Sequence, residues 1–218
     1  MDEPNLIKHQ EHPFVIRSMT MDDLDLAILW AAQEGWNPGL CDSEPFRAAD
    51  PEGFLMGVLD GLPIAAISAV RYGAGFGFIG FYIVKTEFRG QGFGFALWKA
   101  AMARLKDRVI GLDGVLAQQD KYRHSGFKLA HCNIRFEGVV AHEEPSATED
   151  AQIVPLCEVA LSDLAAYDRQ CFPEPRAEFL SAWISQPGTI ALAVMRQNQI
   201  IGYGVARPCR VGWKIGPL

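Results

Sequence analysis

Between Lys85 and Gly94 the chain reads Lys-Thr-Glu-Phe-Arg-Gly-Gln-Gly-Phe-Gly, with glycine at 90, 92 and 94 just ahead of a helical pattern. Such a loop is an anion-binding device. The first turn of a helix carries unpaired N–H groups and the positive end of the macrodipole. Glycines let that backbone approach phosphate oxygens without interference from Cβ. The expected ligand carries phosphate, in the first instance a pyrophosphate. A tight turn whose glycines serve packing is the alternative for a loop of this kind standing alone.

The loop needs a strand before it and a helix after it. Phe76–Val84 is a very apolar strand, and Gly77 and Gly80 within it suggest a bulge or a close backbone approach. The helix after Gly94 has Leu97, Trp98, Ala101, Met102 and Leu105 on one face, with Lys99, Lys106 and Arg108 turned outward. Upstream, Phe14–Arg17 reads as a strand. Thr20 reads as an N-cap with Asp23 three residues on, opening a helix to about Glu34. A second short helix is expected over 42–49. Strands Phe54–Leu59 and Ile64–Arg71 join through Asp60-Gly61, a strong hairpin dipeptide. Downstream, Val109–Val115 is expected as a strand, Gln118–Ser125 as a helix, and a final strand pair from Gly126-Phe127 to about Glu137.

Composition excludes several classes. The 218 residues are 49% hydrophobic and 21% charged, ordinary for a globular chain. No apolar run reaches the ~18–20 residues that span a bilayer, and the polar start lacks the features of a secretory signal. A net charge of −6 argues against a phosphate-backbone binder. Five scattered cysteines without a CxxC pair suit a reduced, cytoplasmic setting, with no disulfide framework and no zinc site.

The acidic, polar stretch 141–152 has linker composition, and beyond it the pattern begins again. Ile153–Val159 is strand-like, Leu161-Ser162-Asp163-Leu164 echoes Met21-Asp22-Asp23-Leu24, and Pro175–Gln186 is helical. Thr189–Met195 and Ile200–Arg207 repeat the hairpin, and Lys214-Ile215-Gly216 echoes Phe78-Ile79-Gly80. The offset is near 136–140 residues, so an internal duplication is expected. The second copy would stop before its own glycine loop, so either the chain is a fragment of a longer protein, the favoured reading, or the half-module docks on the first copy or another subunit. Its expected role is structural, packing Phe179 and Trp183 on its own sheet and bordering the acceptor opening.

Arg89-Gly90-Gln91-Gly92-Phe93-Gly94 resembles the Arg/Gln-x-x-Gly-x-Gly/Ala signature of the GNAT acetyltransferase superfamily, and Tyr122-Arg123-His124-Ser125-Gly126-Phe127 resembles its Tyr-x-x-x-Gly-Phe segment. Element order over 14–138 is similar as well. The resemblance implies an α/β, mixed-sheet GNAT fold over 1–140, a linker at 141–152, and a partial, non-catalytic module over 153–218, as in a tandem subgroup. It implies acetyl-CoA as cosubstrate and no metal. Backbone amides from Gln91 to Gly94 would hold its pyrophosphate, with Arg89 adding charge and Gly90 in the same loop. Ile83 and Val84 would pair with pantetheine amides where the strands at 76–84 and 109–115 splay. Tyr122 would lie beside the sulfur; a phenol, with a pKa near 10 in water, can protonate a departing thiolate.

The expected reaction is acetyl transfer to a primary amine by direct attack through a tetrahedral intermediate. The acceptor would be a small-molecule or peptide amine, mildly favoured if cationic by the acidic chain. No nucleic-acid or membrane partner is expected, and a homodimer is left open. A non-catalytic acyl-CoA sensor is the alternative. A dinucleotide enzyme fits poorly, because Phe95 stands where a third small residue is needed and five residues separate Val84 from Gly90. The chain departs from the family in having Gln118 and Gln119 where an asparagine is usual, and no carboxylate on 76–84. Tyr82, Glu34, Asp113 or a water chain remain as bases. His9, His12, His124 and His131 read as surface or strand positions, and Cys41 as an inert thiol near the acceptor mouth. Trp36 and Asn37 serve either the acceptor pocket or packing.

Overall fold

A computed structural model describes residues 13–139 and 150–217. The first sheet has the order β1 (Phe14–Ser18), β2 (Phe54–Leu59), β3 (Leu62–Tyr72), β4 (Phe76–Val84), β5 (Val109–Leu112). The first four strands pair antiparallel, and β5 joins β4 in parallel. Helix α1 (Met21–Gln33) starts at the expected capping box, with Thr20 and Asp23 bonding each other's backbone N–H. Leu24, Ala27, Ile28 and Ala31 recur at helical spacing and bury one stripe of α1. With α2 (Ser43–Ala49), that stripe covers one face of the sheet over Phe54, Met56 and Val70.

The other face belongs to α3 (Phe93–Arg104), whose Leu97 and Ala101, with Leu105 just beyond, press on Ile67, Ala69 and Ile79. Burying each large side chain contributes about 1.5–3 kcal/mol, so both helices are held by the sheet rather than by propensity. Arg108 is half-buried after α3 rather than turned outward, with one bond to the Gly73 carbonyl.

The second sheet has the order β6 (Gln152–Pro155), β7 (Ile190–Arg196), β8 (Gln199–Pro208), β9 (Trp213–Ile215), all antiparallel. Helices α5 (Leu161–Asp168) and α6 (Ala177–Ile184) cover one face through Leu164, Phe179, Leu180 and Trp183. Trp183 also stacks on Phe46 of the first module at 6.1 Å. The second module repeats strands β1 to β4 of the first in order and direction.

Three expectations need correction. β5 ends at Leu112 instead of Val115, where it parts from β4, and β6 ends at Pro155, where a 3-10 turn begins. Residues 127–139 form no strand. Leu129, Ile134 and Phe136 lie exposed there, so the segment buries no apolar face that would fix it as a strand. The linker expected at 141–152 falls mostly outside the described residues, as do His9 and His12.

Candidate active site

Strands β4 and β5 are paired only from Phe76–Val109 to Ile79–Leu112. Beyond that point β4 runs on to Val84 with no strand paired to its β5-facing edge among the described residues, and the two strands part. A bulge marks the parting. Between Ser68–Gly80 and Ala66–Ile83 the register shifts, and Phe81 takes a left-handed φ of 47°. The bulge therefore falls beside Gly80, and Phe81 carries the strain. Gly77, the other strand glycine, admits Leu105 of α3, whose Cδ2 would lie 2.7 Å from an added Cβ. Ile83 is buried and Val84 half-buried, both past the bulge.

At the end of β4 a short 3-10 turn (Thr86–Phe88) leads into the glycine loop. Gly92 is the N-cap of α3 with φ 91°, and Gly90 has φ 79°, conformations that side chains rarely adopt. Among the described residues, the amides of Gln91 to Gly94 donate to no main-chain carbonyl, as the first turn of a helix requires. Gly94 is a close-approach site: an added Cβ would stand 2.9 Å from the Tyr82 hydroxyl and 3.1 Å from Val84 Cγ2. Phe93 anchors the loop against Phe14, ring centroids 4.8 Å apart. Gln91 donates from its side chain to the Glu87 carbonyl. Around Gly90 and Gly92 the space is open, and free amides beside it suit an anionic group such as a pyrophosphate.

Arg89 has partners that the sequence did not suggest. Its Nε donates to the Val84 carbonyl at 2.7 Å and its terminal nitrogen to Glu34 Oε1 at 2.5 Å. The guanidinium thus ties the glycine loop to the end of α1.

Tyr122 stands in α4 (Gln119–His124), half-buried, across the parting from Tyr82. Its ring lies against Gly114, just past β5, and 5.8 Å from the Trp98 ring, which is also 5.8 Å from Tyr82. Burial raises the Tyr122 phenol, and burial followed by the neighbouring Tyr122 pushes Tyr82 up to about 12. A raised phenol suits a proton donor better than a base. Of the other base candidates, Glu34 is engaged by Arg89, and Asp113 accepts from Asn133 at 2.8 Å. His124 bonds the Asp120 carbonyl, and His131 is exposed. Cys41 is half-buried in a surface cleft with Met21, Asp25 and Pro187. Among the described residues, no cluster of three His, Cys, Asp or Glu could hold a metal ion. No described helix is long and apolar enough to cross a membrane.

The strand that leaves its parallel neighbour at a bulge thus runs into the glycine loop that caps α3. Residues 21–127 match a family model described as acetyltransferase (GNAT) family, and 164–218 match a second, acetyltransferase (GNAT) domain. Together these take in well over half of the sequence, and the chain belongs to the GNAT acyltransferases, with a tandem arrangement whose second module is partial. It is 29% identical over 210 residues to "Holothin acyltransferase" of a Pseudoalteromonas strain, covering 96% of this chain and 70% of that one. It is 28% identical over 131 residues to an uncharacterized Caenorhabditis elegans protein, covering 57% of this chain and 42% of that relative. A candidate acetyltransferase from Pyrococcus horikoshii has the same fold, with a TM-score of 0.67 at 20% identity over all of this chain and 74% of that one.

Proposed function

We propose that the protein transfers an acetyl group from acetyl-CoA to a primary amine. The observation that carries this reading is the parting of β4 from β5 after Ile79, with the glycine loop at one side and Tyr122 at the other. The loop amides from Gln91 to Gly94 hold the pyrophosphate, and the β4 edge at Ile83 and Val84 receives the pantetheine arm. The amine nitrogen attacks the thioester carbon, the C–S bond breaks, and the Tyr122 hydroxyl protonates the departing sulfur. The proton lost by the nitrogen passes to water and restores the phenol. Residues 153–218 take no part in cofactor binding.

Glu34, one of the carboxylates expected as a base, is paired with Arg89, and this favours, as the second reading, a non-catalytic acyl-CoA sensor. Turnover separates the two. Wild-type chain, acetyl-CoA and a panel of acceptors, holothin among them because of the relative's name, are assayed for released thiol. Tyr122→Phe should keep acetyl-CoA affinity and lose about 10²-fold or more in rate. Gly92→Asp puts a negative charge and a strained φ into the loop, and should weaken acetyl-CoA at least about tenfold by calorimetry. Equal binding by wild type and Gly92→Asp would remove the loop assignment. Binding without turnover on any acceptor would leave the sensor.

A further inference from the structure

The loop from Glu34 to Asp42 joins α1 to α2 and lies over the β4 bulge. At its start Glu34 holds Arg89 of the glycine loop, and Trp36 sets its ring edge-on to Phe81, centroids 6.4 Å apart. It therefore borders both the cofactor loop and the point where β4 and β5 part. Its polar groups, however, are satisfied largely from the other module. The Lys214 ammonium donates to the Trp36 carbonyl at 2.6 Å. Asn37 pairs with the backbone of Val211 in both directions, donating at 2.8 Å and accepting at 3.1 Å. The Leu40 N–H donates to the Pro208 carbonyl, and Gly39 forms a bridge with Cys209. Asp42, 2% exposed, accepts two bonds from Arg207, whose guanidinium lies 4.4 Å over the Trp183 ring. The backbone is pressed onto that ion pair: an added Cβ at Gly39 would fall 2.3 Å from Asp42 Oδ1 and 2.8 Å from Arg207 Nε.

All of these partners lie between Arg207 and Lys214, on the end of β8, its turn and β9. A free loop samples many conformations, and each bond of this set removes some of that freedom. Resting on the acetyltransferase reading above, we propose that the second module is a positioning clamp for the acceptor side of the site. Residues 207–214 hold Trp36–Leu40 in one geometry over the bulge, and so decide which amines reach the thioester. Asn37 and Lys214 are positioning residues that set acceptor specificity while contacting neither cofactor nor reacting atoms.

Two variants of the full chain test this. Asn37→Gly keeps the left-handed backbone, φ 47°, and removes both side-chain bonds. Lys214→Met keeps the stem and removes the donor. The probes are hydrogen exchange of the free protein, acetyl-CoA calorimetry, and steady-state transfer to whichever panel amine the wild type accepts. Exchange over 35–41 should rise about tenfold or more while 93–104 stays protected. Acetyl-CoA affinity should stay within about twofold, and acceptor KM should rise about fivefold or more with kcat little changed. Lys214→Arg, which can still donate to the Trp36 carbonyl, should restore KM. Unchanged exchange at 35–41, or raised exchange with an unchanged acceptor KM, would overturn the proposal. A parallel loss of acetyl-CoA binding would do so too, since it would mean a general structural role. Failure of the wild type to bind acetyl-CoA would instead sink the acetyltransferase reading, while exchange would still judge the clamp.

Discussion

In the first module β2 and β3 turn through Asp60 and Gly61, and in the second β7 and β8 turn through Gln197 and Asn198; all four residues have positive φ, as a two-residue turn with both centres left-handed requires. Their register irregularities fall at Gly57/Val58 and at Val194/Met195, the same place in each hairpin. Ile79 lies opposite Ala69, and Ile215 opposite Ala206. The hairpin is thus one design used twice. What differs is the cover. In the first module, Ala65, Ile67 and Ala69 lie in the core that α3 completes. The corresponding β8 positions are Gly202, Gly204 and Ala206, flanked on their neighbours by Ile153, 61% exposed, Leu192, 39%, and Ile215, 67%. Only the face under α5 and α6 is filled. A sheet with one covered face needs less of its own core when it leans on a neighbour, and here α2 and α6 pack together through Phe46 and Trp183.

This comparison predicts unequal costs for truncation on the covered face of the first sheet and on the open face of the second. Leu97→Ala empties a fully buried site between α3 and the first sheet and should cost about 2–5 kcal/mol. Leu192→Ala, on the open face of the second sheet, should cost less than about 1 kcal/mol. Urea unfolding of both variants measures the pair. Equal costs would mean that the second sheet's outer face is covered in solution, and the contrast between modules would fall.

The helix starts differ too. Asp23 at the start of α1 accepts from Arg17, from the Thr20 N–H and from the Thr20 hydroxyl. These bonds, Arg17 first, hold its carboxyl down at about 2 despite burial. A carboxyl lowered in the folded state adds stability that is present above its ordinary pKa and is lost as pH falls toward the folded value. Stability should therefore decline from about pH 4 toward pH 2 by about 1–2 kcal/mol on this account, with Arg17 partly exposed and screened by solvent. Asp23→Asn should flatten that part of the acid titration, followed by thermal unfolding at several pH values. An unchanged slope would remove the Arg17–Asp23 pair from the acid response.

Much of this was legible because local rules acted alone. The Thr20 cap, the Asp60-Gly61 turn, the glycine loop and the stripe of α3 each declare themselves within a few residues. The site was legible as far as that loop and the Tyr122 segment went. The rest depends on partners distant in sequence. Nothing near Asn37 announces Val211, 174 residues away, and nothing in the loop signature sends Arg89 to Glu34. The segment 127–139 misled for the same reason: its residues can adopt a strand, but docking on a sheet decides whether they do, and Leu129, Ile134 and Phe136 stay exposed. Phe81 was missed because the neighbouring glycines were the obvious place for irregular backbone.

The smallest expected effect concerns the second module's copy of the cap. Ala160 stands at the N-cap of α5 where Thr20 stands at that of α1, and it makes no side-chain bond. Asp163 lies three residues on, as Asp23 does, so half of the reciprocal pair is already in place. The Ala160 backbone is extended, with φ −61° and ψ 132°, within the region an N-cap threonine uses. Ala160→Thr should let the new hydroxyl share the Asp163 N–H, which now donates to the Ala160 carbonyl at 3.0 Å, and let the Asp163 carboxylate accept from the residue 160 N–H. The expected gain is about 0.5–1 kcal/mol in urea unfolding, smaller than the Asp23 effect because no counterpart of Arg17 joins it. The double variant Ala160→Thr/Asp163→Ala should give back part of the gain. No gain in the single variant would show that α5 is fixed by its packing under the second sheet and not by its first turn, which would separate the two modules further.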